Sequence, residues 1–173
     1  MSAFTEIQAL ARDCLTANID DQPSPFAALP LFVELDKSAT AVQLANVERE
    51  FQLALDTRGI AVVIGRPMAT KATEASQGRF GAGRATLLLH VPVYICENEQ
   101  INRGDANPAA TPPIDPCHAD VDALIEQGLA ALLAEFRLAD TPIPKAPFEE
   151  GFWANAFVVT RQHTIAASRL PSS

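Results

Sequence analysis

VPVYICENEQINRGDANP, residues Val91 to Pro108, is the stretch on which the fold prediction depends. Its first part is apolar and rich in β-branched residues, and together with the preceding residues it predicts one long strand over 85–97. Pro92 has no N–H to donate, so we expect this strand to lie at a sheet edge or to be bulged at the proline. The polar run ENEQINR, residues 97–103, follows the strand end, a position typical of both catalytic clusters and protein contacts.

Apolar residues at helical spacing predict three helices. They are expected over residues 3–17, from a cap at Ser38 or Thr40 to Thr57, and from a cap at Asp115 with Pro116 at the first helical position. Gly59 is expected to end the second helix in a left-handed conformation. The apolar face of that helix is predicted to consist of Ala41, Leu44, Val47, Phe51 and Leu55.

Apolar runs predict three further strands. A short edge strand is expected over 31–35, a central strand over 60–64 and a final aromatic strand over 152–165. Helices and strands do not alternate as repeated βαβ units. The order therefore predicts an α+β domain: a small, mainly antiparallel sheet with two helices packed on one face, plus an N-terminal helix and long loops.

Composition places the chain among folded proteins. Its 173 residues are 48% apolar and carry a formal net charge of −8, which predicts a single domain over 1–173 and argues against nucleic-acid binding over the whole surface. We expect no transmembrane helix and no secretory signal. The thiols are therefore expected to be reduced. Long loops are predicted over 65–84 and 98–114, and a flexible tail over 166–173.

Two pairs of residues are candidates for chemistry. Glu97 and Glu99 stand at alternate strand positions, and paired carboxylates can perform acid–base catalysis, although solvated acids at a strand end are the simpler interpretation. Cys117 and His118 are adjacent, but a nucleophilic pair or a zinc site needs further partners at suitable spacing. We therefore predict no catalytic residue, metal or cofactor. A small soluble enzyme that uses either pair remains the alternative of a different class.

The glycine-rich segment GRFGAGRAT, residues 78–86, has two glycines at the spacing of a phosphate-binding loop. Arg84 and Ala85 occupy the positions of the lysine and the metal-binding hydroxyl of that loop, and a strand follows where a helix belongs. We therefore interpret the segment as an adaptable loop or a contact loop for a partner.

Charge is distributed unevenly along the chain. Between Arg58 and His90 five basic residues stand against one acid, a net +4, and since the chain total is −8 the remainder carries −12. Such polarisation suits head-to-tail association of subunits, or a basic loop directed at a negative partner. A solvated loop whose charge serves solubility is the alternative interpretation.

Several of these features together resemble the tail terminator (tail completion) proteins of long-tailed bacteriophages and prophages. They are the element order, the segment GIAVVIG, the strand VPVYICENEQINR, the late amphipathic helix and the final aromatic strand. The resemblance covers most of residues 38–165 and is carried best by Glu97, Asn98, Ile101, Asn102 and Arg103. Members of this family often have proline at the position of Glu99.

The resemblance implies a non-enzymatic virion protein made in the host cytoplasm. It would form a homo-oligomeric ring, generally a hexamer, at the head-proximal end of the tail. The ring would end polymerisation of the tail tube protein, offer a surface to the head-completion (connector) protein, and let DNA pass through its lumen without sequence-specific binding. No cofactor and no membrane are implied. Another neck, connector or minor tail component of similar fold is the alternative within this class.

Contact residues are implied in two regions. The 65–84 loop would dock on the tail tube or line the lumen, and ENEQINR would lie at a subunit contact, with both asparagines capping turns and Arg103 pairing with an acid across the interface. The implied contact residues are Arg66, Lys71, Arg79, Phe80, Arg84, Glu97, Asn98, Asn102 and Arg103.

Overall fold

The computed structural model describes residues 2–18, 21–36, 38–71, 84–144 and 153–166. The helices are α1 (Ala3–Thr16), a 3-10 helix (Pro25–Ala28), α2 (Ala41–Thr57), α3 (Glu99–Asn102) and α4 (Val121–Leu132). The strands are β1 (Leu31–Val33), β2 (Ile60–Ile64), β3 (Met68–Lys71), β4 (Arg84–Glu97), β5 (Arg137–Leu138) and β6 (Trp153–Ala166). The predicted α+β class is confirmed: the six strands form one sheet in which every pairing except β1–β2 is antiparallel.

The sheet is organised around β4. The strand order is β1–β2–β4–β6–β5, and β3 pairs with β4 on the same side as β2. β4 and β6 pair along their full length of 14 residues. This two-stranded ribbon is much longer than the other pairings, so the other strands and the helices are positioned relative to it.

The structure corrects the expected edge position of β4 at Pro92. β4 is central, with β6 on one side and β2 and β3 on the other. The carbonyl of Pro92 accepts a hydrogen bond from Gly65 N at 2.8 Å, so the missing N–H of Pro92 points to that same side. β2 ends at Ile64 and β3 begins at Met68, so the proline falls where no strand residue needs its donor.

Alternating residues of β4 build two hydrophobic cores. Leu89, Val91, Val93 and Ile95 pack with α1 and α4 in the larger core, whereas Tyr94 and Cys96 pack with α2 in the smaller one. The two helices that share a face are therefore α1 and α4, and α2 covers the opposite face over β2.

Helix α4 begins later than the Asp115–Pro116 pattern predicted. Asp120 is the N-cap, and its carboxylate accepts from Asp122 N at 3.1 Å and Ala123 N at 3.3 Å. Asp115 N instead donates to Thr57 O at 2.9 Å. His118 has a left-handed backbone conformation, with φ of 52°, which interrupts any helix at this point. The segment 115–119 is thus a connection held against the end of α2.

Parts of the predicted loops are regular structure. β3 lies within the expected 65–84 loop and α3 within the expected 98–114 loop. β5 was not predicted. Pairing with a neighbouring strand, rather than local hydrophobic alternation, makes β3 and β5 strands. Residues 72–83 and 167–173 lie outside the described residues.

Candidate functional site

The ENEQINR run forms a buried corner around Asn102, whose side chain is fully buried. Asn102 Nδ2 donates to Glu97 Oε1 at 2.7 Å and to the Ala119 carbonyl at 2.8 Å. Asn102 Oδ1 accepts from Ala119 N at 2.9 Å. One amide therefore joins the end of β4, the end of α3 and the connection to α4.

The second asparagine of the run and a glycine complete this corner. Asn98 is the N-cap of α3, and its backbone N donates to the Gly59 carbonyl at 2.8 Å. Gly59 has φ of +76° and ends α2 as predicted. A Cβ at Gly59 would overlap the backbone of Asn102 and lie 2.8 Å from its Cβ. The corner therefore needs glycine at 59 for both conformation and space.

Arg103 contacts both acids of the run within its own chain. Its Nε lies 3.6 Å from Glu97 Oε1, and its Nη2 lies 3.8 Å from Glu99 Oε1. Arg103 itself is exposed. The burial of Glu97 and Asn102 leaves no accessible side-chain surface for a partner, so their role in this structure is intramolecular. Glu99, Gln100 and Arg103 are the exposed residues of the run, so a neighbouring subunit can reach them.

The surroundings of Glu97 and Cys117 do not suit the catalytic roles considered for them. Glu97 is only 4% exposed and is held by Asn102, so a substrate cannot reach it. Burial raises the pKa of the Cys117 thiol, which the neighbouring Arg58 only partly opposes, and a raised pKa reduces the thiolate fraction that acts as a nucleophile. Within the described ranges, no group of three or more His, Cys, Asp or Glu side chains is arranged to hold a metal ion.

The structure describes only some of the contact residues implied for the 65–84 loop. Arg66 is half-buried just after β2, and its backbone N donates to Glu34 Oε2 at 2.7 Å. Lys71 ends β3 and Arg84 begins β4, so both lie at the same end of the β4–β6 ribbon. Arg79 and Phe80 lie outside the described residues.

An exposed apolar surface lies on the N-terminal half of α2, and we call it the α2 surface. Thr40 and Gln43 cap the helix reciprocally, but only Phe51, Ala54 and Leu55 of the helix are buried. On the predicted apolar face, Ala41 is exposed, Leu44 is 45% exposed and Val47 is half-buried. Val42, which is 69% exposed, lies on the other side of the helix, because residues two apart do not share a helix face. The predicted apolar face is therefore buried in its C-terminal half, whereas no element among the described residues covers its N-terminal half.

A second exposed apolar surface lies at the other end of the sheet, and we call it the β5 surface. It contains Leu133, just after α4, and Leu138 on β5, which are 50% and 59% exposed. Both leucines line a groove of about 620 Å³, together with the charged side chains of Glu135, Arg137 and Arg161. Sequence reasoning missed this surface, because a two-residue strand produces no detectable alternation.

No helix in the described part of the chain combines the length and the apolar character needed to span a membrane. Comparison of the chain with protein-family models, with curated proteins and with solved structures found no match.

Proposed function

We propose that this protein is a structural virion component that assembles into a homo-oligomeric ring at the head-proximal end of a phage tail, where it ends tail-tube polymerisation and joins the tail to the head. The observation that carries the proposal is the pair of exposed apolar surfaces at opposite ends of one sheet. The α2 surface lies at the β1–β2 end and the β5 surface at the β6 side. The resemblance to tail terminators supplies the location on the tail, the tube and head-completion partners, and the passage of DNA.

Two different surfaces favour a ring over a symmetric dimer. A two-fold dimer buries the same surface on both subunits, whereas a head-to-tail contact joins one surface to a different one and closes into a ring when the rotation permits. In our proposal the α2 surface of one subunit packs on the β5 surface of the next. The uneven charge of the chain supports a fixed polarity for this contact.

A mixing experiment tests the head-to-tail contact. Leu44→Glu places a charge on the α2 surface, and Leu138→Glu places one on the β5 surface. Each variant alone is expected to be monomeric, because every contact would bury one unpaired glutamate. An equimolar mixture is expected to form a heterodimer through the one pair of unaltered surfaces. Light scattering after size exclusion measures the masses, and the unaltered chain is expected near six times 18.5 kDa.

Ala109→Glu is the matched control, since Ala109 is exposed in a turn between α3 and α4 and belongs to neither surface. This variant is expected to keep the mass of the unaltered chain. Failure of the mixture to form a heterodimer, when both variants are folded and the unaltered chain is oligomeric, would contradict the head-to-tail contact. An unaltered chain that stays monomeric even when mixed with tail tubes would contradict the ring.

A further inference from the structure

His90 is a buried histidine in the middle of β4 that none of the functions above uses. It is 5% exposed and stands directly opposite Met68 on β3 and Thr160 on β6. Its Nε2 lies 2.7 Å from Thr70 Oγ1. Its Nδ1 is buried and has no hydrogen-bond partner among the described residues.

The strand that His90 contacts is weakly attached. β3 has four residues, and among the strands that the structure describes it pairs with β4 alone. Met68, Ala69 and Thr70 are all exposed, so β3 contributes little apolar burial of its own. Its attachment therefore depends on the backbone pairing and on the Thr70–His90 hydrogen bond, and such strands belong to the parts of a fold that open locally at low cost.

Protonation of His90 is incompatible with this arrangement. An imidazolium has two N–H donors, so protonation would leave a buried charge and a buried Nδ1–H without an acceptor. Glu34 is the carboxylate that acts on the neighbouring Tyr94, and its Oε2 accepts from Arg66 N at 2.7 Å. It does not compensate a charge on His90, because burial is the one influence on the pKa of His90. On β6, Arg161 and His163 point to the opposite face of the sheet from His90. On β5, Arg137 pairs with Thr160, so this cation lies two strands away from His90. On β3 the facing polar group is the Thr70 hydroxyl, and on β4 the nearest titratable side chain of the same face is Tyr94, four residues along.

We propose that His90 and Thr70 form a pH-sensitive latch that holds β3 on the sheet near neutral pH and releases it on acidification.

The direction of the pH dependence follows from linkage. Burial lowers the pKa of His90 from its ordinary 6.5, so between the two values the open form binds more protons than the latched form. The latch is therefore fully effective above about pH 6.5 and weakens as the pH falls below it. If the latched form takes up no proton, opening increases by about 25-fold between pH 7 and pH 5.

Amide hydrogen exchange of the whole chain at pH 7 and pH 5, corrected for the intrinsic pH dependence of exchange, tests the latch. Protection of the paired amides of β3 is expected to fall by up to about 25-fold at pH 5, while the amides of β2 keep theirs. In His90→Gln, which can still bond Thr70 but cannot titrate, the difference between the two pH values is expected to disappear. His163→Gln removes a histidine from the opposite face and is expected to behave as the unaltered chain does.

Equal protection of β3 at both pH values in the unaltered chain would overturn the latch, as would a pH dependence that persists in His90→Gln. Should that variant fold poorly, nuclear magnetic resonance of the His90 ring nitrogens in the unaltered chain decides the question. The latch requires the ring to titrate together with the opening of β3, and a ring that titrates near 6.5 while β3 stays closed contradicts it. None of these outcomes depends on ring assembly.

Discussion

Replacing Asn102 with aspartate is expected to destabilise the fold by about 3 to 5 kcal/mol at pH 7. The substitution keeps the shape of the side chain but removes the NH₂ group that donates to Glu97 Oε1 and to the Ala119 carbonyl. It also places a carboxylate beside the buried carboxylate of Glu97. The free energy of unfolding from urea titrations measures the loss.

Asn155→Asp is the matched control, because Asn155 lies on β6 with an exposed side chain. A change within about 0.5 kcal/mol is expected there. If Asn102→Asp costs no more than this control, the hydrogen-bonded corner does not hold β4, α3 and the connection to α4 together. ENEQINR would then have to be interpreted as a surface cluster.

Gly59→Ala is expected to cost at least about 3 kcal/mol. Two effects add. The left-handed backbone at Gly59 disfavours any side chain, and the new methyl group would overlap the backbone of Asn102. Because Asn102 is held by three hydrogen bonds, the corner cannot shift to make room without losing them. Thermal or urea unfolding of the variant measures the effect.

Gly128→Ala is the comparison for that experiment. Gly128 lies inside α4, where alanine favours the helix by about 1 kcal/mol, and the nearest atom to its added Cβ is the ring tip of Phe26 at 3.0 Å. The gain and the crowding are expected to leave stability within about 1 kcal/mol of the unaltered chain. A Gly59→Ala variant as stable as Gly128→Ala would show that the end of α2 can be rebuilt without glycine.

The ENEQINR run shows how a functional and a structural interpretation can share one sequence signal. A cluster of acids, amides and an arginine at a strand end is typical of an active site or a contact. Here three of its seven residues are used inside the chain: Asn98 caps α3, Asn102 joins three segments and Glu97 is buried. The contact hypothesis for this region therefore depends on the exposed Glu99, Gln100 and Arg103, and the ring proposal depends on surfaces that lie elsewhere.

Local signals predicted the elements whose cause is local. Thr40, one of the two caps considered, begins α2, and Gly59 ends it. The apolar runs of β2 and β4 form buried strands. Each of these depends on backbone preferences and hydrophobic spacing within a few residues, which a single sequence contains.

Only the tertiary structure decided the features that depend on partners distant in sequence. Asp115 is a residue type that favours a helix cap, yet its backbone N–H donates to the carbonyl of Thr57. Pro92 suggested a sheet edge, yet it lies in the central strand where β2 ends and β3 has not begun. The N-terminal half of α2 has the spacing of a core face, but nothing in the described part of the chain covers it. The β5 surface exists because β6 pairs a two-residue strand. By itself the sequence determined the α+β class and the strand that organises it. The burial of the polar corner and the exposure of two apolar surfaces were decided by packing, because solvent exposure is set by contacts across the chain and not by the residues of one segment.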